Sequence, residues 1–493
     1  MAAENDLTPL DTTNARCAQS PEFKQGTRMA GDTARRRIFG WMMFDWANQP
    51  FFTLLLTFIF GPYFAGVATQ MFMDSGLAEA AADARAQSVW SLGQSVTGLL
   101  IAFTAPILGA LADSTRRRMP WIVAFSVLYC AGTWSLWWMV PDGSTMWISL
   151  FAFGVGMVGA EFTIIFTNAM LPDLGDDSEI GGISGSGYAL GYAGGVLALI
   201  IMLLLFHQGA DGKTLIGLDP LFGLDADMAE GTRAVGPFTT IWYILFMIPF
   251  FMWVKETPSD SRTSMRTALS DLGRSLRAIL KRQSLAAYLA SSMLYRDALN
   301  ALYAFGGVYA VLVLDWSITM IGVFGILGAV SAAVFSWVGG RLDRAHGPRP
   351  VILCTIWILI VVCSVIVGMS RDFFFGIPLA EGSSLPDIVF YIVGATIGAA
   401  GGALQASSRT MMVRHSDPAH PTQAFGFYAL SGKATAFLAP ALIGLVTIWT
   451  ESPRLGLSPV IVLFIIALYL LRWVKAEGEQ VEWAGSPLPS QLR

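Results

Sequence analysis

Twelve apolar runs, each long enough to cross a bilayer as a helix, constrain this chain more than any other feature. A hydrocarbon core of about 30 Å takes roughly 20 residues of helix. Such runs lie at about 38–66, 88–111, 120–140, 145–171, 183–207 and 236–255. After a basic gap they resume at about 284–313, 316–340, 350–370, 387–412, 423–449 and 458–475. Of the 493 residues, 54% are hydrophobic and 13% charged, so the polar residues could not cover a surface of this size in water. Four cysteines exclude a disulfide scaffold. The expected fold is an all-α integral membrane protein with twelve transmembrane helices in two six-helix bundles. The expected division is a tail at 1–37, a bundle at 38–255, a linker at 256–283, a bundle at 284–475 and a tail at 476–493.

Charge sets the orientation. Of the 31 Lys and Arg residues, 24 fall in the tails and even-numbered gaps, among them Arg35–Arg37, Arg116–Arg118, Arg341, Arg344, Arg409 and Arg414. Arg85, Lys213, Arg233, Arg371 and Arg454 lie on the other side, and Arg296 and Lys433 lie within spans. Positive loops stay in the cytosol. The expected protein therefore spans the cell's inner or plasma membrane many times, with both termini cytosolic. In the central gap, Met265, Leu269, Leu272, Leu276, Ile279 and Leu280 recur at helical spacing opposite five cations, predicting an amphipathic helix on the membrane surface.

The two halves carry matching marks. Gly109-Ala-Leu-Ala-Asp113 with Arg116–Arg118 follows span 2, and Gly339-Gly340-Arg341-Leu342-Asp343-Arg344 follows span 8. Asp45-Trp-Ala-Asn48 in span 1 matches Asp297-Ala-Leu-Asn300 in span 7, and Tyr188-Ala-Leu190 in span 5 matches Tyr428-Ala-Leu430 in span 11. Three matches in the same order point to duplication, as in transporters whose halves rock around a midplane site.

The Gly-x-x-x-Asp-plus-basic loop resembles the signature of the major facilitator superfamily. The resemblance implies a cytosolic gate in which Gly109 admits a close helix contact and Asp113 bonds a helix N-terminus, with Arg117 and Arg118 beside it and Asp343 and Arg344 as the second copy. Five segments carry a narrower resemblance. They are Phe44-Asp45-Trp46-Ala47-Asn48, Phe166–Asp173, Ser184–Gly195, Gly401–Arg409 and Phe425–Lys433. They look like the fungal autophagy-related vacuolar amino-acid effluxers and their bacterial relatives. Where that family usually has Asn-Asp-Gly in span 7, this chain has Arg296-Asp297-Ala298. The resemblance also implies that spans 1, 4, 7 and 10 line a central cavity, with 5, 8 and 11 beside them.

Ionisable groups deep in a bilayer cost at least ~2.5–3.5 kcal/mol each and mark function. Asp45, Glu161, Arg296, Asp297 and Lys433 lie within spans, the last four at a common depth. Asp45 and Asn48, Asp297 and Asn300, and Glu161 and Asn168 each share a helix face by spacing. Two arrangements remain open. In one, Glu161 neutralises Arg296 and Asp297 neutralises Lys433, leaving a static bundle. In the other, Lys433 or Arg296 binds a substrate carboxylate while Glu161 or Asp297 carries a proton, with Glu161 preferred because Arg296 adjoins Asp297. Tyr428 borders the same space.

No Gly-x-x-x-x-Gly-Lys-Ser/Thr loop, His-x-x-x-His pair or zinc-type cysteine pair is present. No enzyme activity, cofactor, metal or nucleic-acid partner is expected. The expected function is secondary active transport of a small carboxylate-bearing solute, coupled to protons, by a monomer. The rivals are an exporter of amphipathic compounds or lipids and a non-transporting sensor.

Overall fold

The computed structural model describes residues 21–115, 117–209, 212–256, 273, 276, 277, 279, 281–316 and 318–480, with side chains from Thr33 onward except 308, 311, 312, 318 and 319. Most of the 256–283 linker, with Arg262, Arg266 and Arg274, lies outside the described residues, as does Arg116. Among the described residues, eleven helical segments are long and apolar enough to cross a membrane. The 32-residue helix Gln283–Leu314, with Arg296 and Asp297 at its centre, makes the twelfth long segment.

The spans follow the apolar runs; spans 1, 2 and 10 overrun theirs at both ends, while others stop a few residues short. Span 1 is built from Pro21–Pro50, a π-helical stretch Phe51–Phe58 and Phe60–Asp74. Spans 2 to 6 are Glu79–Thr115, Met119–Ser135, Met146–Asn168, Ile180–Leu205 and Val235–Trp253. Spans 7 to 10 are Gln283–Leu314, Ile318–His346, Pro348–Gly368 and Leu385–His415. Span 12 is Ser458–Leu470, and a hairpin of Phe373–Phe374 with Ile377–Pro378 joins spans 9 and 10.

Two expectations fail here. Span 11 is not one helix over 423–449 but two, Pro421–Ala434 and Leu438–Thr450. Arg409 is not a loop cation either. Span 10 stays helical to His415, which leaves Arg409 about 9 Å inside it and 2% exposed.

The outer wall is apolar, as hydrocarbon requires: Phe103, Phe151, Ile448 and Trp449 are all largely exposed. Inside, rings stack between helices. Phe51 of span 1 lies 5.5 Å from Phe153 of span 4, and Trp46 lies 5.8 Å from Trp242 of span 6. The halves meet crosswise, span 2 on span 11 and span 5 on span 8, which are equivalent pairs under a six-span shift. At these crossings Gly109 lies against the Thr422 carbonyl and the backbones of Gly185 and Gly340 touch. All four residues are toward the membrane face that carries the ends of the described chain.

Candidate functional site

Polar contacts join the halves at three main levels, successively deeper from the face that carries the termini. The outermost uses helix ends. Span 11 opens on Pro421, which has no N–H, so the next free donors belong to Thr422 and Gln423. Asp113 accepts from both, at 3.2 and 2.8 Å. A carboxylate there is favoured by the helix dipole and by the donors it satisfies. Arg118 adds a 2.9 Å ion pair to Asp173 and donates from Nε to Thr422 Oγ1 at 3.1 Å. Arg117 is exposed.

The duplicate is not an equal. Asp343 is buried against Gly181, in the first turn of span 5; the Ser407 and Thr410 hydroxyls stand beside its carboxylate, but among the described residues none makes a well-formed hydrogen bond to it. Arg344 is exposed. The second copy of the loop motif therefore supplies close packing without the paired hydrogen bonds of the first.

About two turns deeper, Arg409 of span 10 reaches into the other half. Its Nη1 lies 3.0 Å from Asp45 Oδ2 and 3.1 Å from Asn168 Oδ1. Nε donates to Ser184 Oγ at 2.9 Å and Nη2 to the Ser184 carbonyl at 2.7 Å. Its flat guanidinium also lies over Trp41 and Tyr188, at 4.7 and 4.3 Å from the ring centres. Gly187 makes room, since a Cβ there would sit 2.4 Å from Asp45 Oδ2. Asp45 and Asn168 were both singled out by sequence, but their partner was not.

Deepest lies a single ion pair. Lys433 Nζ donates to Glu161 Oε1 at 2.6 Å, joining span 11 to span 4. The two side chains are 23% and 14% exposed, so this contact is less enclosed than Arg409.

Neither of the expected charge pairings forms. Glu161 takes Lys433 rather than Arg296. Asp297 accepts from the Ala439 N–H at 2.9 Å, in the first turn of the second helix of span 11. Breaking span 11 exposes that helix N-terminus, and Asp297 satisfies one of its donors. Arg296 instead donates from Nη1 to the Tyr428 carbonyl at 3.0 Å and lies over the Tyr428 ring at 4.2 Å. The spacing pairs also separate. Asn48 is buried and its Oδ1 has no partner among the described residues, while Asp45 faces Arg409. Asn300 is exposed while Asp297 is buried. Glu161 and Asn168 do share a face, and each contacts the other half.

Residues missed by sequence complete the picture. Gln405 Nε2 donates to the Tyr192 hydroxyl at 3.0 Å, a further bond between halves. Tyr303 is 44% exposed with its hydroxyl against Gly401. Gln405 and Arg409 were in plain view as the only long polar side chains of Gly401–Arg409, four residues apart and hence on one face.

The sequence matches the family described as "Vacuole effluxer Atg22 like" over residues 33–182 and 178–483. It is 24% identical over 447 residues to the uncharacterized MFS-type transporter YxiO of Bacillus subtilis, covering 89% of this chain and 94% of that one. It is 23% identical over 315 residues to autophagy-related protein 22 of Cryptococcus neoformans, covering 61% of this chain and 52% of that one. The chain thus spans about half the length of its fungal relatives. Among solved structures, the human organic anion transporter MFSD10 matches with TM-score 0.63 and 16% identity, over 89% of this chain and 99% of that one. The proton:xylose symporter XylE matches with TM-score 0.66 and 12% identity, over 92% and 99%. At such identities these two structures speak for the fold alone. The chain belongs to the Atg22-like vacuole effluxer family, and it is a multi-pass membrane transporter with the major facilitator fold.

Proposed function

We propose that this transporter moves a small carboxylate-bearing solute by alternating access, coupled to protons, as a monomer in the cell's surface membrane with both termini in the cytosol. The observation that carries the reading is the Glu161–Lys433 pair, which joins the halves deep in the membrane and is partly open to solvent. Protonating Glu161 removes the attraction that holds Lys433. The halves then part at that level, and the deeper contact and the outer contacts exchange as the protein rocks. The cation excess near the termini supports the orientation.

Export of amphipathic compounds is less well supported. An apolar groove of about 840 Å³ does open on the outer wall between spans 3 and 6, lined by residues such as Val127, Trp134, Ile244 and Phe251. It lies within one half, and its lining includes none of Glu161, Lys433 and Arg296.

The test is flux in vesicles holding the purified protein, with radiolabelled amino acids and organic acids and an imposed pH gradient. The expected result is solute movement that follows the gradient in the wild type and ignores it in Glu161→Gln. No flux that responds to the gradient, for any member of the panel, would contradict the coupling.

A further inference from the structure

Four of the charged groups deep in the molecule are spoken for in pairs, and a fifth by a helix end. Asp45 is paired with Arg409 and Glu161 with Lys433, while Asp297 is bonded to the Ala439 N–H. Arg296 is left over. Among the described residues no carboxylate lies within ion-pair distance of its guanidinium. Of its five N–H donors only those on Nη1 have a protein partner, the Tyr428 carbonyl. Nε and Nη2 have no protein partner among the described residues, and the side chain is half-buried rather than sealed.

The side chain is nonetheless held in place. Tyr428 supports one face of the guanidinium at 4.2 Å, and Tyr428 itself stacks on Tyr288 at 6.2 Å and 6°. Gly432 is the other wall, because a Cβ there would lie 2.5 Å from Arg296 Cζ. A rigid, planar fork with free donors suits a two-oxygen anion. Asn300 and Tyr303, four and seven residues further along span 7, continue the same helix face and are both exposed.

Resting on the carrier reading above, we infer that Arg296, rather than Lys433, is the seat of the substrate's carboxylate, and that the substrate is an organic anion without a balancing ammonium group. Lys433 is already neutralised by Glu161, and no free carboxylate stands near Arg296 to receive an ammonium. A zwitterion would bring its positive charge beside the uncompensated guanidinium, which selects against it. An anion would neutralise a deep charge that no carboxylate of the described residues balances.

The experiment is thermal unfolding of the purified full-length protein, titrated with propionate, pyruvate, L-alanine and propionamide, which share a three-carbon skeleton. Propionate and pyruvate are expected to raise Tm, with L-alanine and propionamide at least tenfold weaker. Arg296→Gln should abolish the response to pyruvate. Arg296→Lys should weaken it at least tenfold, since a point charge lacks the fork. Should Arg296→Gln fail to fold, Gly432→Ala keeps the arginine but pushes it from its seat, and should also weaken the response. An equal response to L-alanine and pyruvate overturns the inference, and so does a pyruvate response that survives in Arg296→Gln and Gly432→Ala. Loss of the response in Lys433→Met with retention in Arg296→Gln also overturns it. Binding at Arg296 without flux in vesicles would leave this seat standing and count against the carrier reading instead.

Discussion

The Arg409 cluster and the Glu161–Lys433 pair join the same two halves with opposite economies. Arg409 is 2% exposed, bonds Asp45, Asn168 and Ser184, and is covered by two aromatic faces. Lys433 makes one bond, of 2.6 Å to Glu161, and stands partly open. A buried charge with all three of its nitrogens hydrogen-bonded holds one arrangement firmly, because breaking it strands its partners. A single pair that water reaches gives up far less when it opens. On the proposed function, the first contact would keep the termini side closed and the second would be the one that a proton switches.

Removing the arginine is the largest expected perturbation of that contrast. Arg409→Met leaves Asp45 without its cation and should lower unfolding stability by about 3–5 kcal/mol. Lys433→Met breaks one partly enclosed bond and should cost less than that, while abolishing the pH response of transport. Thermal unfolding of the two variants side by side reads the contrast; equal losses would remove it.

A subtler break crowds the same groups. Gly187→Ala puts a methyl 2.4 Å from Asp45 Oδ2, so the Asp45–Arg409 pair must shift, at a cost of about 1–3 kcal/mol. An unchanged melting curve would mean that the pair is not tightly seated. The smallest effects concern the duplicated loops. Asp113→Asn weakens two bonds to the start of span 11 and should cost about 1 kcal/mol. Asp343→Asn removes a buried charge that receives no well-formed hydrogen bond from the described residues and should leave stability unchanged or raise it. Equal losses in the two asparagine variants would show the loops to be equivalent after all.

Much of this architecture was legible because bilayer thickness dictates run length. The deep charges stood out for the same reason: apolar surroundings make each one visible. Partners were harder, since run length says nothing about which helices touch. Arg409 was misplaced because it lies near the end of an apolar run, where cations ordinarily mark the cytosolic face. It already lies within the apolar run at 387–412, and the continuation of the helix to His415 places it deeper. The break in span 11 did carry a signal. Pro440 has no N–H to give the Ala436 carbonyl and crowds it, which ends the first helix before Leu438; taken as one apolar run, span 11 left Asp297 free to enter the cavity.

The central claim is that Glu161 and Lys433 couple proton movement to solute movement. Its most direct test is proton entry into vesicles that hold the purified protein and a trapped pH dye, on addition of external pyruvate. Acidification faster than in protein-free vesicles is expected for the wild type, falling to the protein-free rate in Glu161→Gln. Acidification by the Glu161→Gln protein at the wild-type rate, or none above background in the wild type, would contradict it.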